Sequence, residues 1–218
     1  DGTAAIGHTR WATHGGPTDA NAHPHRAGQL AVIHNGIIEN FAPLKAELAE
    51  RGAVFSSDTD TEVVAHLLNE AYQGDLTAAM LAIVNRLEGA FTLLAVHENE
   101  PGTVVGSRRN SPLVVGLGDG ENFMGSDVAA FIAYTNRALE LGQDQIVTIT
   151  SDSVDVISFQ GEAVTAREFT VDWDASAAVK GGFDSFMDKE IHDQPKAVAD
   201  TLLGRTNEKG ELKLDELR

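Results

Sequence analysis

The spacing of apolar residues between positions 41 and 87 predicts three helices. Apolar side chains recur there at intervals of three and four residues, the period of an amphipathic helix. The three stripes are Phe41, Leu44 and Leu48, then Val63, Val64, Leu67, Leu68 and Ala71, then Leu76, Met80, Ile83, Val84 and Leu87. The polar run at 57–62 (SDTDTE) precedes the second stripe. It places Asp60 at a predicted helix start, because Ser, Thr and Asp are common capping residues.

The rest of the chain up to position 171 has the pattern of strands. Runs rich in β-branched and aromatic residues, bounded by Gly, Asp and Asn, predict strands at 91–96, 103–106, 113–117, 146–149 and 154–159. Upstream, residues 3–9 are predicted as a short buried strand and 29–34 as a second strand that ends at the Asn35-Gly36 pair. Helices alongside sheets indicate an α+β fold.

The composition changes near the C-terminal fifth of the chain. Residues 175–182 (ASAAVKGG) are small and flexible, which predicts a linker and a domain boundary near residue 180. Beyond it, Met187, Ile191, Val198 and Leu202 have helical spacing. Pro195 lies within that stretch and is expected either to bend the helix or to mark its start.

Charge and composition narrow the possible partners. The 33 acidic and 16 basic residues give a formal charge of −17, which argues against nucleic acid or an anionic membrane as a partner. A small anionic substrate needs only a local cation and stays possible. The chain has no cysteine, so these residues form no disulfide and no cysteine-ligated metal site. With no visible signal peptide, this composition favours the cytoplasm.

The segment 8–15 (HTRWATHG) is the densest run of functional side chains. Arg10 could bind a carboxylate through two parallel hydrogen bonds, or it could pair with a neighbouring Asp while Trp11 fills a gap in the packing. The Asn35 amide and the Gly36 backbone N–H could form an oxyanion hole, or the pair could be an ordinary turn. Asp60 could cap a helix or hold a substrate ammonium group. Residue spacing alone does not choose between these alternatives.

Histidines are concentrated near the start of the chain. Among them His23, His25 and His34 could supply nitrogen ligands to a metal ion. They lack the regular spacing and the nearby carboxylate that usually accompany such a site. We therefore predict histidines that pack or form hydrogen bonds.

Several ordered segments resemble the class II glutamine amidotransferases, which are N-terminal nucleophile hydrolases. The resemblance rests on residues 7–15 (GHTRWATHG), 21–25 (NAHPH), 34–40 (HNGIIEN) and 58–62 (DTDTE). It implies an αββα fold, with two antiparallel sheets between two helical layers. Arg108 and the segments 111–113, 120–123, 126–127 and 186–195 (FMDKEIHDQP) are similar to the glucosamine-6-phosphate synthases within that class.

The resemblance implies a reaction and a domain plan. Glutamine would be hydrolysed to glutamate and ammonia, and the ammonia passed to fructose 6-phosphate to make glucosamine 6-phosphate. Residues 1–175 would be the glutaminase domain, and 176–218 the linker and the start of a sugar-isomerase domain that binds fructose 6-phosphate. No metal or organic cofactor is expected, and the full-length protein would be a homodimer.

The resemblance also implies roles for seven residues. Arg10 would bind the α-carboxylate of glutamine and Asp60 its α-ammonium group, while Asn35 and Gly36 would form the oxyanion hole. Thr13 and His14 would line the glutamine site, and Trp11 would cover the pocket and help to gate the path of ammonia. His23 would lie beside the site with no assigned role.

One departure from the family pattern concerns the nucleophile, an N-terminal cysteine whose own α-amino group acts as base. This chain has no cysteine and begins at Asp1. We expect the preceding segment, with the first core strand, and the isomerase domain after Arg218 to be absent, and the 218 residues to be inactive alone. Two alternatives are an amidotransferase domain of purine or asparagine synthesis and a non-catalytic glutamine-binding module.

Overall fold

The computed structural model describes residues 2–171 and 182–202, which belong to two compact units. The first unit is Asp1–Asp172 and the second is Trp173–Arg218. Most of the predicted linker, residues 175–181, lies outside the described residues. No helix in the described part combines the length and the apolar character needed to cross a membrane.

A six-stranded antiparallel sheet forms the centre of the first unit. Its strands, in spatial order, are β1 (His25–Ala27), β2 (Leu30–Ile38), β3 (Gly89–His97), β4 (Val104–Arg109), β8 (Gln145–Ile149) and β9 (Val154–Ser158). The four-stranded second sheet has the order β10 (Arg167–Thr170), β7 (Arg137–Glu140), β5 (Val114–Leu117) and β6 (Asn122–Gly125). The five strands predicted between 91 and 159 are confirmed. The strands β1, β6, β7 and β10 were not predicted, because their sequences (HRA, NFMG, RALE and REFT) are short and contain almost no β-branched residues.

Three helices cover one face of the larger sheet, as predicted. They are α1 (Phe41–Glu50), α2 (Thr61–Ala71) and α3 (Leu76–Val84). Their apolar stripes pack with inward residues of β2 and β3 in one core, in which Val32, Val64 and Leu93 are fully buried. Each such side chain contributes about 1.5–3 kcal/mol to folding.

A second core lies between the two sheets. It joins Val104 and Val147 of the larger sheet to Val115 of the smaller one. The opposite face of the smaller sheet carries the 3-10 helix Val128–Ala130, and the Phe131 ring that follows packs directly on Gly116. A Cβ at position 116 would collide with that ring, which explains the small residue there. The first unit therefore has four layers, which are the three helices, the larger sheet, the smaller sheet and the short 3-10 helix.

Two local predictions near the start of the chain are wrong. Residues 3–9 form no strand and are largely exposed, because no described strand pairs with their backbone. The second predicted strand does not end at Asn35-Gly36, since β2 continues to Ile38 with Asn35 opposite Thr92 and Gly36 opposite Phe91. The ladder with β3 overrides the local turn preference. Gly36 uses its conformational freedom within the strand, at φ 119°.

The second unit contains the helix α4 (Phe186–Leu202). Ser185 caps its start, where the Ser185 Oγ accepts a hydrogen bond from the Asp188 backbone N–H at 3.1 Å. Because the helix begins at Phe186, the alternative in which Pro195 marks its start is wrong. Met187, Ile191 and Val198 are exposed, and the side chain of Leu202 lies outside the described residues.

Candidate active site

The seven predicted site residues converge on one cavity at an open strand edge. β1 pairs only with Leu30–Val32, so positions 33–38 of β2 pair with β3 on one side and, among the described residues, have no strand on the other side. The loop 8–14 and the start of α2 lie against this edge and enclose a cavity of about 260 Å³. Its lining includes all seven predicted residues, Arg10, Trp11, Thr13, His14, Asn35, Gly36 and Asp60, together with His8, His23, His34, Ile37, Thr59 and Thr61.

Asp60 is a buried acceptor at the cavity and does not cap α2. It directly precedes the helix, yet its side chain makes no capping hydrogen bond. Its Oδ2 accepts from the backbone N–H of Ile38 at 2.8 Å, and only 3% of the residue is exposed. The capping alternative is therefore wrong. A carboxylate buried this deeply is costly unless paired, so a cationic ligand group in the cavity would find a strong partner.

The same hydrogen bond fixes the direction of the Gly36 N–H. In an antiparallel sheet, residues alternate between pairs that bond across the strands and pairs whose N–H groups point away. The Ile38 N–H points away from β3, towards Asp60. Gly36 lies two residues earlier on the same strand and lines the cavity, from which we infer that its N–H faces the same open edge.

Asn35 places a second donor next to that N–H. Its Oδ1 lies 2.6 Å from the Nε2 of His8. The side-chain amide nitrogen makes no hydrogen bond with any described residue, and Asn35 is exposed in the lining of the cavity. The arrangement of the Asn35 amide beside the Gly36 N–H is suited to an oxygen that develops negative charge.

Arg10 organises the loop that forms one wall. Its guanidinium donates to the carbonyl oxygens of His14, Gly15 and Gly16 at 2.8–3.0 Å, so the alternative of an Asp partner is wrong. The guanidinium has five N–H groups, and two are left by these three bonds within the described part. Arg10 can therefore stiffen the loop and still donate to a carboxylate.

Trp11 and Thr13 lie on the exposed side of the same wall. The Trp11 ring is 92% exposed, which overturns the alternative that it fills a gap in the packing. Both residues line the cavity. Trp11 also lines a second, adjoining space of about 360 Å³ that reaches Leu113 and Met124 between the sheets.

Three histidines form hydrogen bonds to the threonines around α2, as predicted. His23 Nε2 and His34 Nδ1 share the Thr61 Oγ1, at 3.1 and 3.0 Å, and His25 Nε2 lies 3.0 Å from the Thr59 Oγ1. Burial lowers the pKa of His34 to about 4 and, with help from the His8 ring, that of His23 to about 3. Both rings are therefore neutral at neutral pH. No set of three or more His, Cys, Asp or Glu side chains in the described ranges is placed to hold a metal ion.

Unpartnered polar atoms are concentrated at this site. Of the five buried side-chain polar atoms without a hydrogen-bond partner among the described residues, three belong to His14, His23 and His34. The His14 atom, Nδ1, lies 4.0 Å from the Asp60 Oδ2. Buried polar atoms in native proteins are normally paired, so these three atoms mark a part of the described structure in which polar groups lack protein partners.

Comparison with known proteins identifies the family. The sequence profile described as "Glutamine amidotransferase domain" matches residues 1–161. The chain belongs to the glutamine amidotransferase family. Two solved structures share the fold: the allosteric regulatory enzyme of purine biosynthesis (27% identity, TM-score 0.59) and the B. subtilis glutamine phosphoribosylpyrophosphate amidotransferase complexed with ADP and GMP (24%, 0.58). Each alignment covers 70% of this chain and 34% of the other. The predicted αββα fold of an N-terminal nucleophile hydrolase is confirmed.

Curated relatives are much closer in sequence. This amidotransferase chain is 62% identical over 224 residues to "Glutamine--fructose-6-phosphate aminotransferase [isomerizing]" of Corynebacterium efficiens, covering 100% of the chain and 36% of the relative. It is 66% identical over 217 residues to the protein of the same name from Streptomyces coelicolor, covering 98% and 35%. The chain thus spans about a third of the length of these relatives.

Sequence reasoning assigned no role to His8 and Thr61, although both lie in segments that carried the resemblance to amidotransferases. His8 contacts Asn35, and the Thr61 hydroxyl joins His23 to His34. No spacing rule connects positions 27 or 38 residues apart. These contacts become visible only when loop 8–14, β2 and α2 are assembled.

Proposed function

We propose that this chain is the glutaminase part of a longer glutamine–fructose-6-phosphate aminotransferase. In this proposal, the amide nitrogen of glutamine leaves as ammonia and is transferred to fructose 6-phosphate, giving glutamate and glucosamine 6-phosphate. The observation that carries the proposal is the convergence of a buried anionic acceptor, Asp60, and two neighbouring donors, Asn35 and Gly36, on one cavity. The names of relatives 62–66% identical to the chain support the same reaction.

The cavity accounts for binding of an amino acid at both of its charged groups. Asp60 accepts from the α-ammonium group, because its carboxylate is buried and has only the Ile38 N–H as a hydrogen-bond partner in the described part. Arg10 donates to the α-carboxylate with the N–H groups that the loop carbonyls leave unused. His14 and Thr13 line the space between them, and Trp11 covers the mouth.

Asn35 and Gly36 act on the reacting amide. When a nucleophile attacks the amide carbon, the carbonyl oxygen becomes an oxyanion, and two fixed donors stabilise it without reorganisation. The chemistry needs a thiolate or a comparable nucleophile. The 218 residues contain no cysteine, so the proposal assigns the nucleophile to a residue of the full-length protein outside them.

The proposal includes the organisation of the full-length protein. Residues 1–175 form the glutaminase domain, and 176–218 are the linker and the start of the isomerase domain. The contact boundary at residues 172–173 supports this division. We further propose a homodimer and a cytoplasmic location, as the resemblance implies.

The amidotransferases of purine synthesis are the weaker alternative. The described structures with that fold are only 24–27% identical to this chain, against 62–66% for the fructose 6-phosphate aminotransferases.

The test uses the full-length protein with glutamine and fructose 6-phosphate. We expect glutamate and glucosamine 6-phosphate in equal amounts. Glutamine binding without glutamate release would identify a non-catalytic module instead. Glutamate release that never yields glucosamine 6-phosphate would assign the domain to another acceptor.

A further inference from the structure

We propose that His8 is a positioning residue that sets the orientation of the Asn35 side-chain amide. The inference rests on the proposed function, in which the Asn35 amide nitrogen donates to the oxyanion. His8 does not touch the substrate in this scheme. It acts through Asn35.

The hydrogen bonds of His8 determine which of its nitrogens carries the proton. The backbone N–H of Arg10 lies 2.9 Å from the His8 Nδ1. A backbone N–H can only donate, so Nδ1 must be the unprotonated nitrogen. In the neutral ring the hydrogen then sits on Nε2. The His8 Nε2–H is therefore the donor in the 2.6 Å contact with Asn35.

This donor selects one of two amide orientations. The terminal torsion of Asn is broad and roughly two-fold, so the backbone alone hardly distinguishes an orientation from the one rotated by half a turn. With a donor at the His8 Nε2, the Asn35 oxygen must face His8, because the rotated amide would bring two N–H groups together at 2.6 Å. The NH₂ group is thereby turned away from His8 and left to donate to a ligand.

His8 is itself held from two sides. The His23 ring packs against it with 4.3 Å between ring centroids, and His23 is anchored to the Thr61 hydroxyl at 3.1 Å. On the other side, Arg10 has a left-handed φ of 46°, a strained conformation for a residue with a side chain. The three bonds from its guanidinium to loop carbonyls hold the loop in that shape. The loop that binds the substrate carboxylate in our proposal thus also fixes the His8 tautomer.

Two substitutions of His8 separate its two hydrogen bonds. In His8→Gln the amide nitrogen reaches the place of Nε2 and can donate to Asn35. In His8→Asn the shorter side chain can accept from the Arg10 N–H, as Nδ1 does, but leaves Asn35 without its donor. In the full-length protein we expect His8→Asn to lower the glutaminase kcat by about 10- to 100-fold with little change in the glutamine KM, because a misdirected donor cannot cost more than the 10²–10³ for its complete removal. His8→Gln should keep most of the wild-type kcat.

A purely structural role predicts the opposite order. If His8 only supports the loop through the Arg10 N–H, His8→Asn should be the better variant. His97 offers a matched control, because its Nδ1 accepts from the Asn99 backbone N–H at 3.1 Å, the same two-residue arrangement away from the cavity. His97→Asn and His97→Gln should leave kcat unchanged. A thermal-unfolding curve of each variant, compared with that of the wild type, reports whether the glutaminase domain is folded.

A double-mutant cycle with Asn35 completes the test. Adding His8→Asn to Asn35→Ala should lower kcat no further, since the residue through which His8 acts is already gone. Additive losses, equal kcat for the two His8 variants, or a higher kcat for His8→Asn would overturn the inference. If Asn35→Ala itself leaves kcat unchanged, the proposed oxyanion hole is wrong, and the inference about His8, which depends on it, is wrong as well. If Asn35→Ala lowers kcat and His8→Asn does not, only the role of His8 is wrong.

Discussion

The substitution Asn35→Asp isolates one donor of the proposed oxyanion hole. Within the described residues, the side chain of Asn35 makes one hydrogen bond, in which its Oδ1 accepts from the His8 Nε2–H. Asp has an oxygen at the same place and accepts from the His8 Nε2–H equally well. The substitution therefore keeps the contact seen in the structure and removes only the NH₂ group, which faces the cavity. Asn35→Ala removes both.

The size of the effect follows from the charge that develops at the amide oxygen. Removing one oxyanion donor costs about 10²–10³ in kcat, or about 3–4 kcal/mol. Asp also adds a negative charge beside the oxyanion, and two like charges about 4 Å apart repel by about 4 kcal/mol at an effective dielectric constant of about 20. We therefore expect Asn35→Asp to be at least as damaging to kcat as Asn35→Ala. The glutamine KM should change little, because the donor acts only in the transition state.

Steady-state kinetics of glutamate release by the full-length protein measures both variants. Asn99→Asp is the charge-matched control, because Asn99 is exposed in the turn between β3 and β4 and adds the same charge away from the cavity. It should behave as wild type. If Asn35 serves only to bond His8, Asn35→Asp keeps its activity and Asn35→Ala loses it. That order would refute the oxyanion assignment.

Three further predictions concern Arg10, Asp60 and His34. Arg10→Lys should raise the glutamine KM about 10- to 100-fold, because it loses charge-assisted hydrogen bonds worth about 1.5–3 kcal/mol; an unchanged KM removes Arg10 from the site. Asp60→Asn should raise the glutamine KM and leave ammonia-dependent synthesis unchanged. If the substitution changes only the melting temperature, Asp60 has a structural role and does not bind the substrate. Burial lowers the pKa of His34 from 6.5 to about 4. Between these two pH values His34 is protonated in the unfolded chain but not in the folded one, so the free energy of unfolding falls as the pH is lowered. The loss reaches about 3 kcal/mol near pH 4. Denaturant unfolding between pH 7 and 5 should show a shallower decline for His34→Gln, and identical slopes would contradict this reasoning.

The helical layer could be predicted from the sequence because its signal is local. Val63, Val64, Leu67 and Leu68 fall on one face of a 3.6-residue period, and all four are buried in the structure. The prediction of a turn at Asn35-Gly36 failed for the opposite reason. The local preference of two residues competes there with a nine-residue ladder between β2 and β3, and that ladder is a long-range interaction.

The site was found through the family resemblance, and residue spacing could not have found it. The lining comes from His23 and from three segments, around positions 8–14, 34–37 and 59–61, that meet only in the folded chain. The hydrogen-bond partners of individual side chains could not be predicted from the sequence either. Arg10 bonds to carbonyl oxygens of its own loop, and Asp60 bonds to a backbone N–H of β2. A sequence specifies residue types, but it does not show which of a residue's donors are already used.

We expect the open edge of β2 to make the proposed site selective for the length of its substrate. Gly36 lines the cavity, and Ile38, whose N–H donates to Asp60, follows two residues later on the same strand, about 7 Å further along. Asp60 is hydrogen-bonded to the Ile38 N–H, so in the proposed function the sheet helps to set the distance between the acceptor for the ammonium group and the donor for the oxyanion. In glutamine the α-nitrogen and the amide oxygen are five bonds apart, about 6 Å in an extended chain. We therefore expect that asparagine, which is one methylene shorter, does not reach both positions at once. If β1 were longer, its backbone would pair with the N–H groups of Gly36 and Ile38. The Gly36 N–H could then not donate to a substrate, and the Ile38 N–H could not hold Asp60.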